Sequence, residues 1–264
     1  MTLKAEAFVE LNEVGKEFSA QGKTIRVLSN ISFTMKKGEF VSVLGKSGCG
    51  KSTLLNLIGG FDSPSEGSVY FDREEVKKPS RRAIMLFQHY GLLPWRTVLK
   101  NVELGLEPEK SLSTAERRER ALDSIKLVGL EESKDRFPAQ LSGGMQQRVA
   151  IARALAIRPE LILMDEPFAA LDTFNRYYLQ DELLRIRERE KNNIVLVTHD
   201  IDEAIYLSDR ILIMDAHPGR IKQTLEINLP SPRDRSHSDF QYYRKLILDS
   251  FHFSKDGATL EFNI

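Results

Sequence analysis

The stretch GKSGCGKS, residues 45–52, sets Gly45, Gly50, Lys51 and Ser52 in the spacing G-x-x-x-x-G-K-[ST]. Glycines here let the backbone curl until successive N–H groups, those of Ser47 and Gly48 among them, point at phosphate oxygens. Lys51 then brings positive charge to the β- and γ-phosphates. The Ser52 hydroxyl, with Thr53 behind it, is suited to Mg²⁺. FVSVL before the motif reads as a strand and STLLNLIGG after it as a helix, which is the context such a loop requires. Cys49 has no paired base in the motif and reads as a small spacer.

LILMDEP supplies what that loop lacks. An apolar strand ending in Asp165 puts a carboxylate at the Mg²⁺ shell, and Glu166 can orient or deprotonate an attacking water. His199 in VTHD ends another apolar strand, within reach of a γ-phosphate. Together these make a nucleoside triphosphatase. Either ATP or GTP would suit it, and the chain has no N-K-x-D guanine-reading stretch, which favours ATP. LSGGMQQRVAIARAL, residues 141–155, raises a separate question. Ser142, Gly143 and Gly144 precede a helical run, leaving a bare N-terminus whose N–H groups and dipole favour an anion. Whose anion that second N-terminus holds is left open by these residues alone.

These residues need a scaffold of buried strands. FVSVL (Phe40–Leu44), LILM (161–164), IVLVT (194–198) and ILIM (211–214) are continuous apolar runs, as strands covered on both faces require. Helical patterns lie between them, so the fold class is α/β with a parallel sheet. The first forty residues alternate instead, in AFVELNEVGKEF and IRVLSNISFTM, with Gly22 as a turn, and predict an antiparallel lobe. From about residue 91 to 156 the spacing is helical, with Thr114 ahead of RRER at 117–120 as a capped start. One more helix is expected at about 240–253. The chain of 264 residues has zero formal net charge, which argues against nucleic acid as a partner. A single cysteine excludes an internal disulfide and fits a reducing compartment. No apolar run is long enough to span a bilayer and the N-terminus is broken by charges, so a soluble chain is expected.

The motifs and their order resemble the nucleotide-binding subunit of an ATP-binding cassette transporter over residues 8–253: GKSGCGKS, the Gln of LFQHYGLLPW, LSGGMQQR, LILMDEP, AALD and VTHD. Met145 stands where the family often has Gln. The resemblance implies a P-loop NTPase with a RecA-like parallel core (about 41–90 and 158–230). To this it adds the antiparallel lobe (about 1–40), an inserted helical subdomain (about 91–157), the C-terminal helix and a tail (254–264). It implies ATP and Mg²⁺ as cofactors, with Ser52, Gln88 and Asp165 at the metal and Glu166, His199 and Gln88 at the chemistry. Phe18 matches the aromatic that stacks on adenine, a strand-core place being its alternative. Ser142, Gly143 and Gly144 would close over nucleotide held by a second subunit, and Asp172 would cross that interface. HYGLLPWRTVLKNV would line the groove that accepts a permease helix, although Leu92, Leu93 and Trp95 could equally be helical core.

LLPWRTVLKNV, PFAALD, THDIDEAIYLSDRILIM and HPGRI are similar to the importer branch for nitrate, sulfonate, taurine and bicarbonate. Vitamin-precursor importers use similar subunits. The partners so implied are a second copy or homologous ATPase subunit, permease subunits, and indirectly an extracytoplasmic solute-binding protein. The implied place is peripheral, on the cytoplasmic face of the membrane. Two other readings are a soluble non-transport cassette ATPase and a regulatory cassette that only binds ATP. Lys51, Glu166 and His199 speak against the second, and the lack of a second cassette or long coiled-coil insertion against the first.

Overall fold

The computed structural model describes residues 7–20, 22–87, 90–169 and 171–252. Its centre is a six-stranded sheet built from β3 (Phe40–Leu44), β6 (Ala83–Leu86), β7 (Leu161–Asp165), β8 (Asn193–Thr198), β9 (Arg210–Asp215) and β10 (Arg220–Glu226). The order is β10-β9-β3-β8-β7-β6, parallel throughout except for β10, which pairs antiparallel with β9. Alternate residues of each central strand enter two separate cores. Phe40, Leu44, Ile162, Met164, Ile194 and Leu196 face one side. Val41, Val43, Leu161, Leu163, Val195 and Val197 face the other. Both faces are therefore dry, which is why these strands carry no polar alternation.

One face is covered by α1 (Lys51–Gly59) and by a second sheet, order β2-β1-β4-β5. Here β1 (Ala7–Ala20) and β2 (Lys23–Lys36) are the antiparallel pair expected from the alternating N-terminus. A correction is needed beside them. β4 (Glu66–Phe71) and β5 (Glu74–Glu75) lie inside the span assigned to the parallel core, yet they pair antiparallel in this lobe, β4 against β1. That pairing joins segments some sixty residues apart, and no local pattern in EGSVYF announces it.

The other face carries α4 (Gly143–Ala156), α5 (Thr173–Glu190), α6 (Ile201–Leu207) and α7 (Ser238–His252). α2 (Val98–Leu104), α3 (Thr114–Leu127) and α4 all fall between β6 and β7, which are neighbours in the sheet. Ser113, not Thr114, caps α3. Its hydroxyl accepts from Glu116 N–H while the Glu116 carboxylate accepts from Ser113 N–H, a reciprocal box.

The loop ahead of α2 has an internal anchor. Asn101 is fully buried. Its Oδ1 accepts from Leu93 N–H at 2.7 Å, and its Nδ2 donates to the carbonyls of Leu93, Arg96 and Thr97 at 2.9–3.1 Å. From α4, Arg153 donates to the carbonyls of Tyr90 and Gly91 at 2.8 and 2.7 Å. Asn101→Leu keeps the volume but strands these loop groups without partners. It is expected to cost about 2–4 kcal/mol, read by urea unfolding. A loss below about 1 kcal/mol would mean that water replaces the amide without penalty.

Candidate functional site: a phosphate cleft at three strand ends

β3, β8 and β7 are adjacent and parallel, with Leu44 level with Thr198 and Asp165 level with Val197. The segments after these strands must therefore emerge at the same edge of the sheet. The phosphate loop follows β3, the Asp165–Glu166 pair closes β7, and His199 follows β8. Gly48 and Gly50 take φ of 80° and 93°, the left-handed region that glycine enters without strain. At Gly45 a Cβ would lie 2.6 Å from the Cys49 Sγ, so the loop closes only on glycine there. Lys51 is 5% exposed, and its ammonium donates to the Gly45 carbonyl at 2.8 Å and the Lys46 carbonyl at 3.1 Å. Two of its three donors thus hold the loop in its curl. The result is a cleft of about 340 Å³ walled by Ser47, Gly48, Gly50 and residues 51–53, with Val27, Asp165 and Glu166 opposite.

Asp165 is half-buried. Burial pushes its carboxyl above the usual range, and a hydrogen bond with the Ser52 side chain works against that rise. A cation between these two oxygens would offset the cost of burying the charge. Among the described residues no group of three His, Cys, Asp or Glu is placed to hold a metal ion by itself. Two hard oxygens with room for phosphate and water suit Mg²⁺ and no soft metal. Glu166 has φ of 46°, and its N–H bonds to the Val197 carbonyl at 2.9 Å, so its side chain leaves the strand on a different course from that of Asp165. Its Oε1 lies 3.2 Å from Nδ1 of the exposed His199.

Other expected residues fall elsewhere. Cys49 is buried, and burial raises its thiol pKa, which removes any nucleophilic role. Phe18 on β1 is 44% exposed with the Lys16 ammonium 4.9 Å from its ring centre, so it is no core residue. Ser142 caps α4, its hydroxyl accepting from Met145 N–H at 3.3 Å, and neither it nor Gly143 nor Gly144 lines the cleft. A Cβ on Gly144 would lie 3.5 Å from Asn175, whose amide donates to Asp172 at 2.6 Å. The signature turn, LSGG at 141–144, and Asp172 therefore adjoin, apart from the cleft. Gln88 lies outside the described residues. Trp95 is 71% exposed, Leu93 is half-buried, and Leu92 packs against the core.

Two contributors were not anticipated. Val27 walls the cleft from β2, and Gly219 backs the loop from the turn before β10, where a Cβ would strike the Cys49 carbonyl. The sequence signal for the second was the HPGR turn, which carries no register by itself.

The protein-family model described as ABC transporter matches residues 28–169. The chain belongs to the ABC transporter family. It is 47% identical to an aliphatic sulfonates import ATP-binding protein of Bacillus cereus, covering 93% of this chain and 96% of that protein. A nitrate import ATP-binding protein of Synechococcus elongatus is 44% identical over 86% of this chain and 84% of its own length. Identity to an uncharacterized ABC transporter ATP-binding protein of Methanocaldococcus jannaschii is 52%, over 91% and 90%. Among solved structures, a dimeric, post-hydrolysis ATP-binding cassette bound to ADP and Pi superposes with a TM-score of 0.73. It is 39% identical and covers 84% of this chain and all of that one. The chain is thus an ATPase cassette with the P-loop NTPase fold. No helix of the described residues is long and apolar enough to cross a membrane.

Beneath His199 the cassette buries a carboxyl. Glu203 is 5% exposed and accepts from the Thr198 hydroxyl at 2.7 Å. Burial drives its pKa from the ordinary 4.5 to about 7, with Asp200 adding to the rise and the Thr198 hydrogen bond and Arg176 opposing it. Between those two values the folded state holds a proton that the unfolded chain has lost, so this group's contribution to stability falls as pH rises through the window. Glu203→Gln mimics the protonated form and removes the dependence. The variant is expected to match the parent near pH 5 and to exceed it at pH 8 by up to about 3 kcal/mol in urea unfolding. A gap that is the same at both pH values would contradict the assignment.

Proposed function

We propose that this chain is the ATP-hydrolysing subunit of an importer for small oxyanions, coupling ATP-driven closure of two copies to uptake through a separate permease. The observation that carries the hydrolytic part is the Glu166–His199 pair at 3.2 Å, set at strand ends beside Lys51 and Asp165. A cassette that merely bound ATP would have no use for a water-facing carboxylate held by an imidazole. The solute class follows from the relatives, named for aliphatic sulfonates, nitrate and bicarbonate.

In this reading the N–H groups of residues 47–53 cradle the phosphates, and Lys51 turns its remaining N–H toward the β- and γ-oxygens. Ser52 and Asp165 would hold Mg²⁺, and Gln88 is assigned to the same ion by its match to the family motif alone. Mg²⁺, when bound, supplies charge neutralisation across those oxygens. Glu166 orients the attacking water and receives its proton, and His199 fixes the carboxylate through Nδ1–H. Phe18, exposed on β1 of the lobe, stacks on the adenine. Ser142, Gly143 and Gly144 offer the N-terminus of α4 to the γ-phosphate held by the other copy, and Asp172 crosses the interface. Exposed Trp95 with half-buried Leu93, and the exposed Phe61–Phe87 edge-to-face pair, are offered to the permease on the cytoplasmic side of the membrane, and a solute-binding protein delivers the oxyanion to that permease from outside. These exposed aromatic side chains favour this over a soluble non-transport role.

Glu166→Gln keeps the shape and removes the base. It is expected to lower hydrolysis at least about hundredfold while ATP binding persists. Size-exclusion chromatography should then show a dimer in saturating ATP and a monomer without it. A Glu166→Gln chain that stays monomeric in ATP, or hydrolyses it at the parental rate, contradicts the assignment.

A further inference from the structure

Arg176, in the first turn of α5, is used by none of the roles above, yet its guanidinium stands between two loops that matter. Nη2 donates to the Leu171 carbonyl at 3.3 Å, immediately before Asp172. Nη1 donates to Asp200 Oδ2 at 3.1 Å, immediately after His199. Nε lies 3.7 Å from the buried Glu203 carboxylate. The remaining oxygen of Asp200 caps α6, accepting from the N–H groups of Asp202 and Glu203 at 2.9 and 3.1 Å. Asp200 N–H in turn donates to the Thr198 hydroxyl at 3.0 Å, and that hydroxyl donates to Glu203. Both neighbours of His199 are therefore clamped, and the Asp200 clamp ends on the residue that grips the backbone beside Asp172.

We propose that Arg176 is a positioning residue that ties the Asp172 loop to the His199 loop, so that movement at the dimer interface sets the imidazole against Glu166. This rests on the site reading given under Proposed function. A planar fork fixes the angle between the carbonyl and the carboxylate it holds, whereas a lysine ammonium, a point charge on a flexible stem, leaves that angle free. The link is partly buried, with Arg176 27% and Asp200 31% exposed at the side chain, and so is only partly screened by water. Asp172 itself is solvent-facing and caps α5 through Phe174 and Asn175, free to meet a second copy.

The test uses the full chain and steady-state hydrolysis beside ATP affinity. Parental hydrolysis checks the underlying site reading, and the Arg176 series then decides the coupling. Arg176→Lys and Arg176→Met are each expected to lower kcat about tenfold, with ATP affinity and KM within about twofold. Asp200→Asn keeps the helix cap, loses the ion pair and should lower kcat similarly. The Arg176→Lys/Asp200→Asn double variant should be no slower than the slower single variant, because both act on one link. Thermal unfolding of Arg176→Lys, which preserves charge and stem, confirms that the comparison is made on folded protein. Parental kcat in Arg176→Lys, a double variant about a hundredfold down, or ATP affinity falling in step with kcat would each overturn the proposal.

Discussion

The alignment of β3, β8 and β7 in one parallel register is the constraint on which the rest depends. It brings Leu44 level with Thr198 and Val197 level with Asp165, so a phosphate loop, two carboxylates and a histidine leave the sheet along one edge. Three adjacent strands span only about 10 Å, which is the reach of a triphosphate and its attacking water. Register here is fixed by burial on both faces. A one-residue slip of β8 would exchange Ile194 and Leu196 with Val195 and Val197 between the two cores. The apolar strand residues that carry no chemistry are thus what set the chemistry in place.

Around this edge the chain divides its groups between two surfaces. One holds Lys51, Ser52, Asp165 and Glu166 around the cleft. The other holds Ser142 and Gly144 at the start of α4 and Asp172 at the start of α5, with Asn175 beside Gly144 and bonded to Asp172. α4 also carries Arg153, whose donors grip the carbonyls of Tyr90 and Gly91 near the exposed Trp95. One helix therefore links the loop ahead of α2 to the signature turn. Force applied at residues 90–97 would reach Ser142 through the half-buried Arg153 and a single α-helix, without crossing the central sheet.

The phosphate loop, the Asp165–Glu166 pair and His199 were legible because each is a local pattern attached to a strand with no polar alternation. The helix order through 98–156 was legible for the same reason of period. What escaped depended on distant pairing. β4 joins the antiparallel lobe against β1, Val27 reaches the cleft from β2, and Gly219 backs the loop from beyond β9. None of these is encoded within ten residues of itself. The Arg176 link escaped differently, since an arginine in TFNRYYLQ is indistinguishable from a solvated helix charge until Asp200 is placed beside it.

The central claim is that the signature turn of one copy faces the phosphate loop of the other. Ser47 and Ser142 are both exposed, and the native Cys49 is buried, so a pair of introduced cysteines reports on that contact alone. In a Glu166→Gln background, chains carrying Ser47→Cys are mixed with chains carrying Ser142→Cys and mildly oxidised with and without ATP. The account predicts a covalent dimer joining the two kinds of chain, formed with ATP and absent without it. A heterodimer demonstrably formed in ATP that yields no such bond, or a bond that forms equally without nucleotide, would contradict it.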